Sequence, residues 1–244
     1  MSDPADKPRS PFPTTHWSLV RRVQRGTPDD ARRALEDICK GYWYPIYSYL
    51  RRSGHAPTDA EDLTQDFFHR VIEERSILSA SEARGRLRSF LLGVLKRLLS
   101  DHFRALGREK RGGGRQIVSF DEADAEGRYI REPADVNSPD ALYDRAWAEG
   151  VLNAAMEKLR DEFVKADDLP LFDRLKEFLP LGDNATPYKK VAALTGLTDG
   201  AVRLQVHRMR KRYARLIEEE IARTVDDEAD IQAEREHLLS VMAR

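Results

Sequence analysis

Cysteine is almost absent from this chain of 244 residues, in which Cys39 is the single example. One thiol cannot form an intrachain disulfide, nor can it supply a cysteine-based zinc site. Long apolar runs are lacking too, and the charged, proline-rich first residues do not contain the apolar centre of a signal peptide. We therefore expect a cytoplasmic protein that does not insert into a membrane.

Strand patterns and internal repeats are also missing. No stretch alternates apolar and polar residues between hairpin turns, and the two halves share no repeated pattern. Apolar residues instead return every three or four positions through most of the chain, which is typical of helices. The sequence therefore predicts an all-α fold of two small helical domains joined by a flexible acidic linker.

The formal net charge is only -1, but charge is segregated along the chain. Residues 84–115 carry ten Lys or Arg and two acids, whereas residues 120–144 carry two Arg and eight acids. A basic segment can bind nucleic acid, and an acidic, aperiodic one can act as a solvated linker. These shifts predict a disordered tail at 1–13, a first domain at 14–115, a linker at 116–137, a second domain at 138–225 and a helical extension at 226–244.

Two helices joined by a glycine-containing turn are predicted in the second domain, within PYKKVAALTGLTDGAVRLQVHRMRKRYARLIEEEI at 187–221. This is typical of a helix-turn-helix, whose second helix enters the major groove of DNA. Its apolar stripe should face the protein. The candidates for DNA contact lie at its start and on its other side: Thr198, which should also cap the helix, Arg203, Leu204, His207, Arg208 and Lys211. For His207, base reading and phosphate contact are equal alternatives.

An acidic helix face is predicted in DAEDLTQDFFHRV at 59–71. Thr58 and Glu61 have the spacing of a capping box, and Leu63, Phe67 and Val71 form a buried stripe. The other face presents oxygen-bearing side chains: Asp59, Glu61, Asp62, Gln65 and Asp66. These residues could form an ordinary solvated face, a protein-docking surface or a metal site, although no matched set of ligands occurs elsewhere.

A largely buried basic helix is predicted in GRLRSFLLGVLKRLLSDHFR at 85–104. Its cations are candidates for contact with a nucleic-acid backbone: Arg86, Arg88, Lys96, Arg97 and Arg104. The glycines at 112–114 lack the GK[ST] ending of a phosphate loop, so we interpret them as linker. Proline lacks an amide proton, so we also expect Pro45 to break or kink the first long helix.

Taken in order, these three stretches resemble the sigma-70 family of bacterial transcription initiation factors, and within it the two-domain extracytoplasmic-function group. The resemblance implies that the acidic helix, at Asp59, Glu61, Asp62, Gln65 and Asp66, docks on the clamp of core RNA polymerase. It implies that the basic helix captures and melts the minus 10 promoter element, and that the helix-turn-helix reads the minus 35 element. Arg97 stands where the family often has Asn. No cofactor, catalytic residue or metal is implied.

Other functions remain open at the level of sequence. A stand-alone helix-turn-helix regulator would bind DNA as a dimer without polymerase. A nucleic-acid enzyme would use Glu61, Asp62 and Asp66 with a metal ion. An anti-sigma protein is one potential partner of a sigma factor, although no residue pattern identifies one. The extension at 226–244 would either pack on its own domain or act as a regulatory latch.

Overall fold

The computed structural model describes residues 20, 23, 26–73, 86–106, 125–132, 138–179, 186–225 and 228–243. These residues contain no strand, which confirms the all-α prediction. Their helices are α1 (Pro28–Arg52), α2 (Pro57–Glu73), α3 (Leu87–Leu106), α4 (Ala125–Ile130), α5 (Pro139–Lys165), α6 (Leu169–Leu175), α7 (Tyr188–Thr195), α8 (Asp199–Ala222) and α9 (Glu228–Met242), with a 3-10 turn at Lys176–Phe178. The predicted tail at 1–13 and the glycines at 112–114 lie outside the described residues.

Two helices begin with a capping side chain followed by proline. The Thr27 hydroxyl accepts a hydrogen bond of 3.2 Å from the Asp30 amide before α1. The Ser138 hydroxyl accepts one of 3.1 Å from the Ala141 amide before α5. Proline suits the next position because its missing N–H would have no partner there in any helix. Both helix starts follow from sequence alone.

Pro45 does not end α1, which continues to Arg52. Proline inside a helix costs about 3 kcal/mol through a lost hydrogen bond and a crowded turn. The neighbouring side chains of Tyr42, Ile46 and Tyr47 are each at most 2% exposed. Burying one large apolar side chain stabilises a fold by about 1.5–3 kcal/mol, so burial on both sides of the proline outweighs its cost. The helix therefore does not break at Pro45, and the alternative of a kink stays a prediction.

The start of α2 also differs from the sequence prediction. The helix begins at Pro57, and the Ala60 amide donates to the Ala56 carbonyl at 2.9 Å. Thr58 therefore lies inside the first turn and cannot be the capping residue. Proline with its fixed backbone angle is well suited to the first helical position, and the helix starts two residues earlier than a capping box at Thr58 would place it.

One apolar core extends through both predicted domains. Helix α5 provides the connection, because it packs against α1 of the first domain and against α8 of the second. The Tyr143 hydroxyl on α5 donates to the Arg88 carbonyl at 3.0 Å, and the Tyr213 hydroxyl on α8 donates to the Leu152 carbonyl at 3.0 Å. The two helical domains are thus held together by α5.

Helix α4 lies inside the predicted flexible linker and packs against α1. Arg51 donates to the Glu126 carboxylate, and the Tyr44 hydroxyl donates to Glu132 at 2.7 Å. The described part of the linker is therefore attached to the first domain, in contrast to the prediction. Its acidic composition predicted a solvated linker. The sequence did not reveal the packing, because the donors that bind these acids lie far away along the chain.

Candidate nucleic-acid and protein interfaces

The acidic face lies on a firmly packed helix. On α2, Leu63 is 6% exposed, and Phe67 is fully buried. The ring of Phe68 stacks on Trp43 of α1 with centroids 5.9 Å apart, and its edge meets Phe67 at 5.0 Å. Aromatic contacts of this kind add to the stability gained from burial. The buried side of α2 thus fixes the orientation of its outer side.

The outer side of α2 presents its carboxylates to solvent. Asp59, Glu61, Asp62 and Asp66 are exposed, and Gln65 is half-buried beside them. No ion pair to another described residue holds these four carboxylates. Asp62 and Asp66 are four residues apart, so they lie on the same helix face. The structure thus brings the predicted acidic residues together as one accessible surface.

The five predicted cations of α3 divide into two groups. Arg97 and Arg104 are exposed, and Arg104 pairs with the nearby Asp101 at 3.3 Å. Lys96 instead contacts Asp140 of α5 at 2.6 Å, with both side chains about half exposed. Arg86 and Arg88 bind Glu234 of α9. In the described conformation only the first group forms an open basic surface.

Arg88 lies at the centre of a buried polar cluster. Its side chain is 8% exposed, and its guanidinium lies 5.1 Å from the Trp147 ring centroid. It contacts Asp144 at 2.7 Å and donates two hydrogen bonds to Glu234. Asp144 also lies 3.3 Å from His237. This cluster connects α3, α5 and α9.

The cluster shifts the pKa of two of its members. Burial alone would lower the pKa of Arg88, but the hydrogen bond to Glu234 and the charges of Glu234 and Asp144 reverse this and raise it. Burial lowers the pKa of His237, and the positive charge of Arg88 lowers it further, against the effect of Asp144. Arg88 is therefore charged in the fold, and its charge is balanced by carboxylates from other helices.

The second candidate site consists of α7 and α8, which are joined by a short turn that contains Gly196. Helix α7 ends at Thr195, and Gly196 follows with a φ of 70°, a left-handed conformation that favours glycine. Two residues later the Thr198 hydroxyl accepts from the Ala201 amide at 3.2 Å and caps α8. The predicted cap is thus confirmed.

The two sides of α8 differ as the sequence predicted. The apolar stripe is buried, with no member more than 3% exposed: Val202, Val206, Met209, Tyr213, Leu216 and Ile221. The remaining candidates for DNA contact are exposed: Arg203, Leu204, His207, Arg208 and Lys211. Arg203 is 60% exposed, contacts Asp199 at 2.9 Å and lies 4.6 Å from the Tyr188 ring centroid. The exposed side of α8 therefore carries the basic residues Arg203, Arg208 and Lys211.

Two arginines of α8 have structural partners instead. Arg210 donates to the Phe178 carbonyl at 2.8 Å, and Arg212 contacts Glu162 and Glu219. These contacts attach α8 to the 3-10 turn and to α5. The basic composition of α8 therefore overstates the charge that is available to a ligand.

A comparison with known protein families covers the part of the chain that contains α2 and α3. Residues 44–109 match the family model of Sigma-70 region 2. The matched segment contains the end of α1, the acidic helix α2 and the basic helix α3. It supports a sigma-70 family factor with a role in RNA polymerase binding and promoter recognition. No curated protein and no solved structure matches the chain.

The region 2 match ends at residue 109, before α7 begins at Tyr188. The interpretation of α7 and α8 therefore rests on their own structure and not on a family match. Within the described ranges, no three His, Cys, Asp or Glu side chains form a group that could hold a metal ion. None of the described helices is both long and apolar enough to cross a bilayer.

Sequence reasoning missed the residues that hold the region 2 helices to the rest of the chain. Glu234 lies 146 positions from Arg88, and Glu126 lies 75 positions from Arg51. Each is one acid among many in a segment with ordinary helical or linker composition. A single sequence gives no signal that selects these acids, because their significance depends on the tertiary contact.

Proposed function

We propose that this chain is a sigma factor of the extracytoplasmic-function type that brings core RNA polymerase to promoters. The observation that carries the proposal is that the Sigma-70 region 2 match includes α2, whose four carboxylates form an accessible surface on a rigid support. The other parts of the proposal follow from the positions of α3 and α8.

The acidic side of α2 would bind the polymerase. Carboxylates accept short, strong hydrogen bonds from Lys and Arg, and complementary charge speeds encounter and fixes orientation. Asp59, Glu61, Asp62 and Asp66 would face basic residues of the polymerase clamp, with Gln65 adding a neutral hydrogen-bonding group. Because no ion pair to a described residue must be broken first, this surface is ready for docking.

Helix α3 would engage the minus 10 element. Arg97 and Arg104 are exposed and can contact the DNA backbone directly. Arg86, Arg88 and Lys96 would exchange their carboxylate partners for phosphates. Flipping a base costs a few kcal/mol, and stacking it on an aromatic group returns about 1–3 kcal/mol. Melting of a short element therefore needs no nucleotide hydrolysis.

Helix α8 would read the minus 35 element from the major groove. Its exposed start carries Arg203, whose guanidinium can bind a guanine through two hydrogen bonds. Leu204 can contact a thymine methyl group, and Arg208 and Lys211 can contact base edges or phosphates. His207 would contact either a base or a phosphate. Thr198 would fix the helix start through its cap.

Transcription from fragmented genomic DNA tests the proposal. Core polymerase alone and core polymerase with the purified chain would transcribe the same fragments, and the RNA 5′ ends would be sequenced. We expect start sites that require the chain and share two upstream elements at constant spacing. Tight, specific DNA binding by a dimer without polymerase would instead indicate a stand-alone helix-turn-helix regulator.

A further inference from the structure

Three cations at the start and middle of α3 are matched by three carboxylates from the C-terminal half of the chain. Arg86 and Arg88 bind Glu234, Arg88 also binds Asp144, and Lys96 binds Asp140. The three carboxylates lie on α5 and α9, far from α3 in sequence. These three cations are thus neutralised from within the molecule, whereas Arg97 and Arg104 remain exposed.

The carboxylate of Glu234 binds arginine in the way that a phosphate would. Arg88 donates from Nε at 2.9 Å and from Nη2 at 3.2 Å to its two oxygens. Arg86 Nε lies 2.7 Å from Oε1 of the same carboxylate. Two-point binding by a guanidinium fork is the geometry that arginine uses for both carboxylates and phosphates. Glu234 therefore occupies the donors that a DNA backbone would need.

Backbone and side-chain contacts close this junction further. The Leu87 amide donates to the Thr224 carbonyl at 3.4 Å, just after the end of α8. Glu234 is fully buried, and Arg88 is 8% exposed. A DNA strand therefore cannot reach the Arg88 guanidinium while α9 remains in place.

Helix α9 contributes two buried apolar side chains to the core, and Ile231 and Met242 pack against it partly buried. Leu238 and Val241 are buried, whereas Leu239 is 59% exposed. A buried ion pair adds little net stability, because desolvation of the two charges offsets most of their attraction. The attachment of α9 to α3 is thus specific in geometry but modest in strength, which suits a contact that must be released.

We propose that Glu234, Asp144 and Asp140 form an autoinhibitory lock that keeps Arg86, Arg88 and Lys96 from nucleic acid in the free protein. Release of α9 frees Arg86 and removes Glu234 from Arg88, and separation of Asp144 and Asp140 on α5 then frees Arg88 and Lys96. The lock rests on the proposed function only in that α3 is taken as the DNA-melting helix. Polymerase binding through α2 does not require the lock to open.

Binding of labelled single-stranded DNA by the free, full-length protein tests the lock. The probe is a 20-nucleotide oligonucleotide of mixed sequence, and the variant is Glu234→Gln. Each cation that gains a phosphate changes the slope of log K against log salt by about 0.7 on single strands. We expect the variant to steepen this slope by about 0.7–1.4 and to bind about tenfold more tightly near 0.1 M salt.

The matched control is Glu236→Gln, which removes the same charge from an exposed position of α9. It should leave both the slope and the affinity at wild-type values. Hydrogen exchange gives a second measurement, in which the amides of α9 should exchange faster in Glu234→Gln and not in the control. A folded Glu234→Gln protein with wild-type slope, affinity and exchange would overturn the lock and leave the cluster a purely structural feature.

A second variant keeps the test decisive if Glu234→Gln does not fold. Asp140→Asn releases Lys96 at a half-exposed position, so the core is not disturbed. It should steepen the slope by about 0.7, whereas Asp161→Asn at an exposed site of the same helix should not. An unchanged slope for Asp140→Asn would contradict the proposal.

Co-purification with core polymerase distinguishes failure of the proposed sigma-factor function from failure of the lock. We expect wild type and Glu234→Gln to bind the core enzyme equally, because α2 is unaltered. If Glu234→Gln binds single-stranded DNA more tightly but neither protein binds the polymerase, the proposed function is rejected and the lock is retained. Equal polymerase binding with no change in DNA affinity would reject the lock alone.

Discussion

Arg51 near the end of α1 holds Glu126 of α4 through two hydrogen bonds of 2.8 Å each. The Tyr47 hydroxyl donates to the same carboxylate. The Arg51 hydrogen bond lowers the pKa of Glu126, and the Tyr47 hydrogen bond acts in the same direction. This arrangement attaches the linker to the first domain and limits the positions from which the second domain can start.

Replacing Glu126 with Gln should lower the free energy of unfolding by about 1–3 kcal/mol at pH 7, because hydrogen bonds to a charged group are lost. The pKa of Glu126 in the unfolded chain is about 4.3, and its pKa in the fold is lower. The carboxylate therefore stabilises the fold above that pH and ceases to do so as pH falls through the folded pKa. Urea unfolding at pH 7 and between pH 3 and 5 would measure the difference between the two proteins.

That difference should shrink as the pH falls below the unfolded pKa, about 4.3, and should vanish once the pH is below the lower, folded pKa of Glu126. Glu157→Gln, which removes an exposed carboxylate of α5, serves as the control and should change stability by less than about 0.5 kcal/mol. A stability difference for Glu126→Gln that stays constant from pH 7 to pH 3 would contradict the assigned role of its charge.

The elements that local chemistry determines could be read from the sequence. Thr27, Ser138 and Thr198 cap their helices because each needs only the amide three residues ahead. The buried stripe of α8 follows from a repeat of three or four residues. The acidic side of α2 follows in the same way, since a stripe that faces the core leaves the opposite side exposed.

The elements that depend on distant partners could not be read. Pro45 remains inside α1 because side chains around it are buried by the packing of other helices. Helix α4 forms where Arg51 supplies donors from another helix. The pairing of Arg88 with Glu234 changes a predicted DNA contact into an internal one, and no periodicity records it.

Thr198→Ala should destabilise the helix-turn-helix by about 1 kcal/mol, because the first turn of α8 loses an acceptor for the Ala201 amide. Thr198→Ser keeps the hydroxyl and should keep most of the stability. Urea unfolding of both variants measures the effect. Equal destabilisation by Ser and Ala would show that the methyl group of Thr198, and not the cap, supports the helix.

Arg203→Ala should relax base preference at one position of the minus 35 element by about 1–3 kcal/mol, because a two-point contact to a guanine is lost. The expected measurement is transcription by the reconstituted enzyme from promoters that differ in single bases. Arg215→Ala, at an exposed site further along α8, should weaken all promoters alike. An equal loss on every promoter for Arg203→Ala would exclude base reading by this residue.

Charge reversal tests the proposed docking surface on α2 most directly. The double variant Asp62→Lys and Asp66→Lys changes two exposed residues four positions apart, so the fold should be retained. The control is Glu157→Lys with Asp161→Lys, which has the same spacing on the exposed side of α5.

Co-purification with core RNA polymerase is the measurement, with helical content and urea unfolding checked for each protein. We expect wild type and the α5 double variant to bind the core enzyme. The folded α2 double variant should bind at least about 100-fold more weakly, because several attractive charge pairs become repulsive. Undiminished binding of the folded α2 variant to core polymerase would contradict the account.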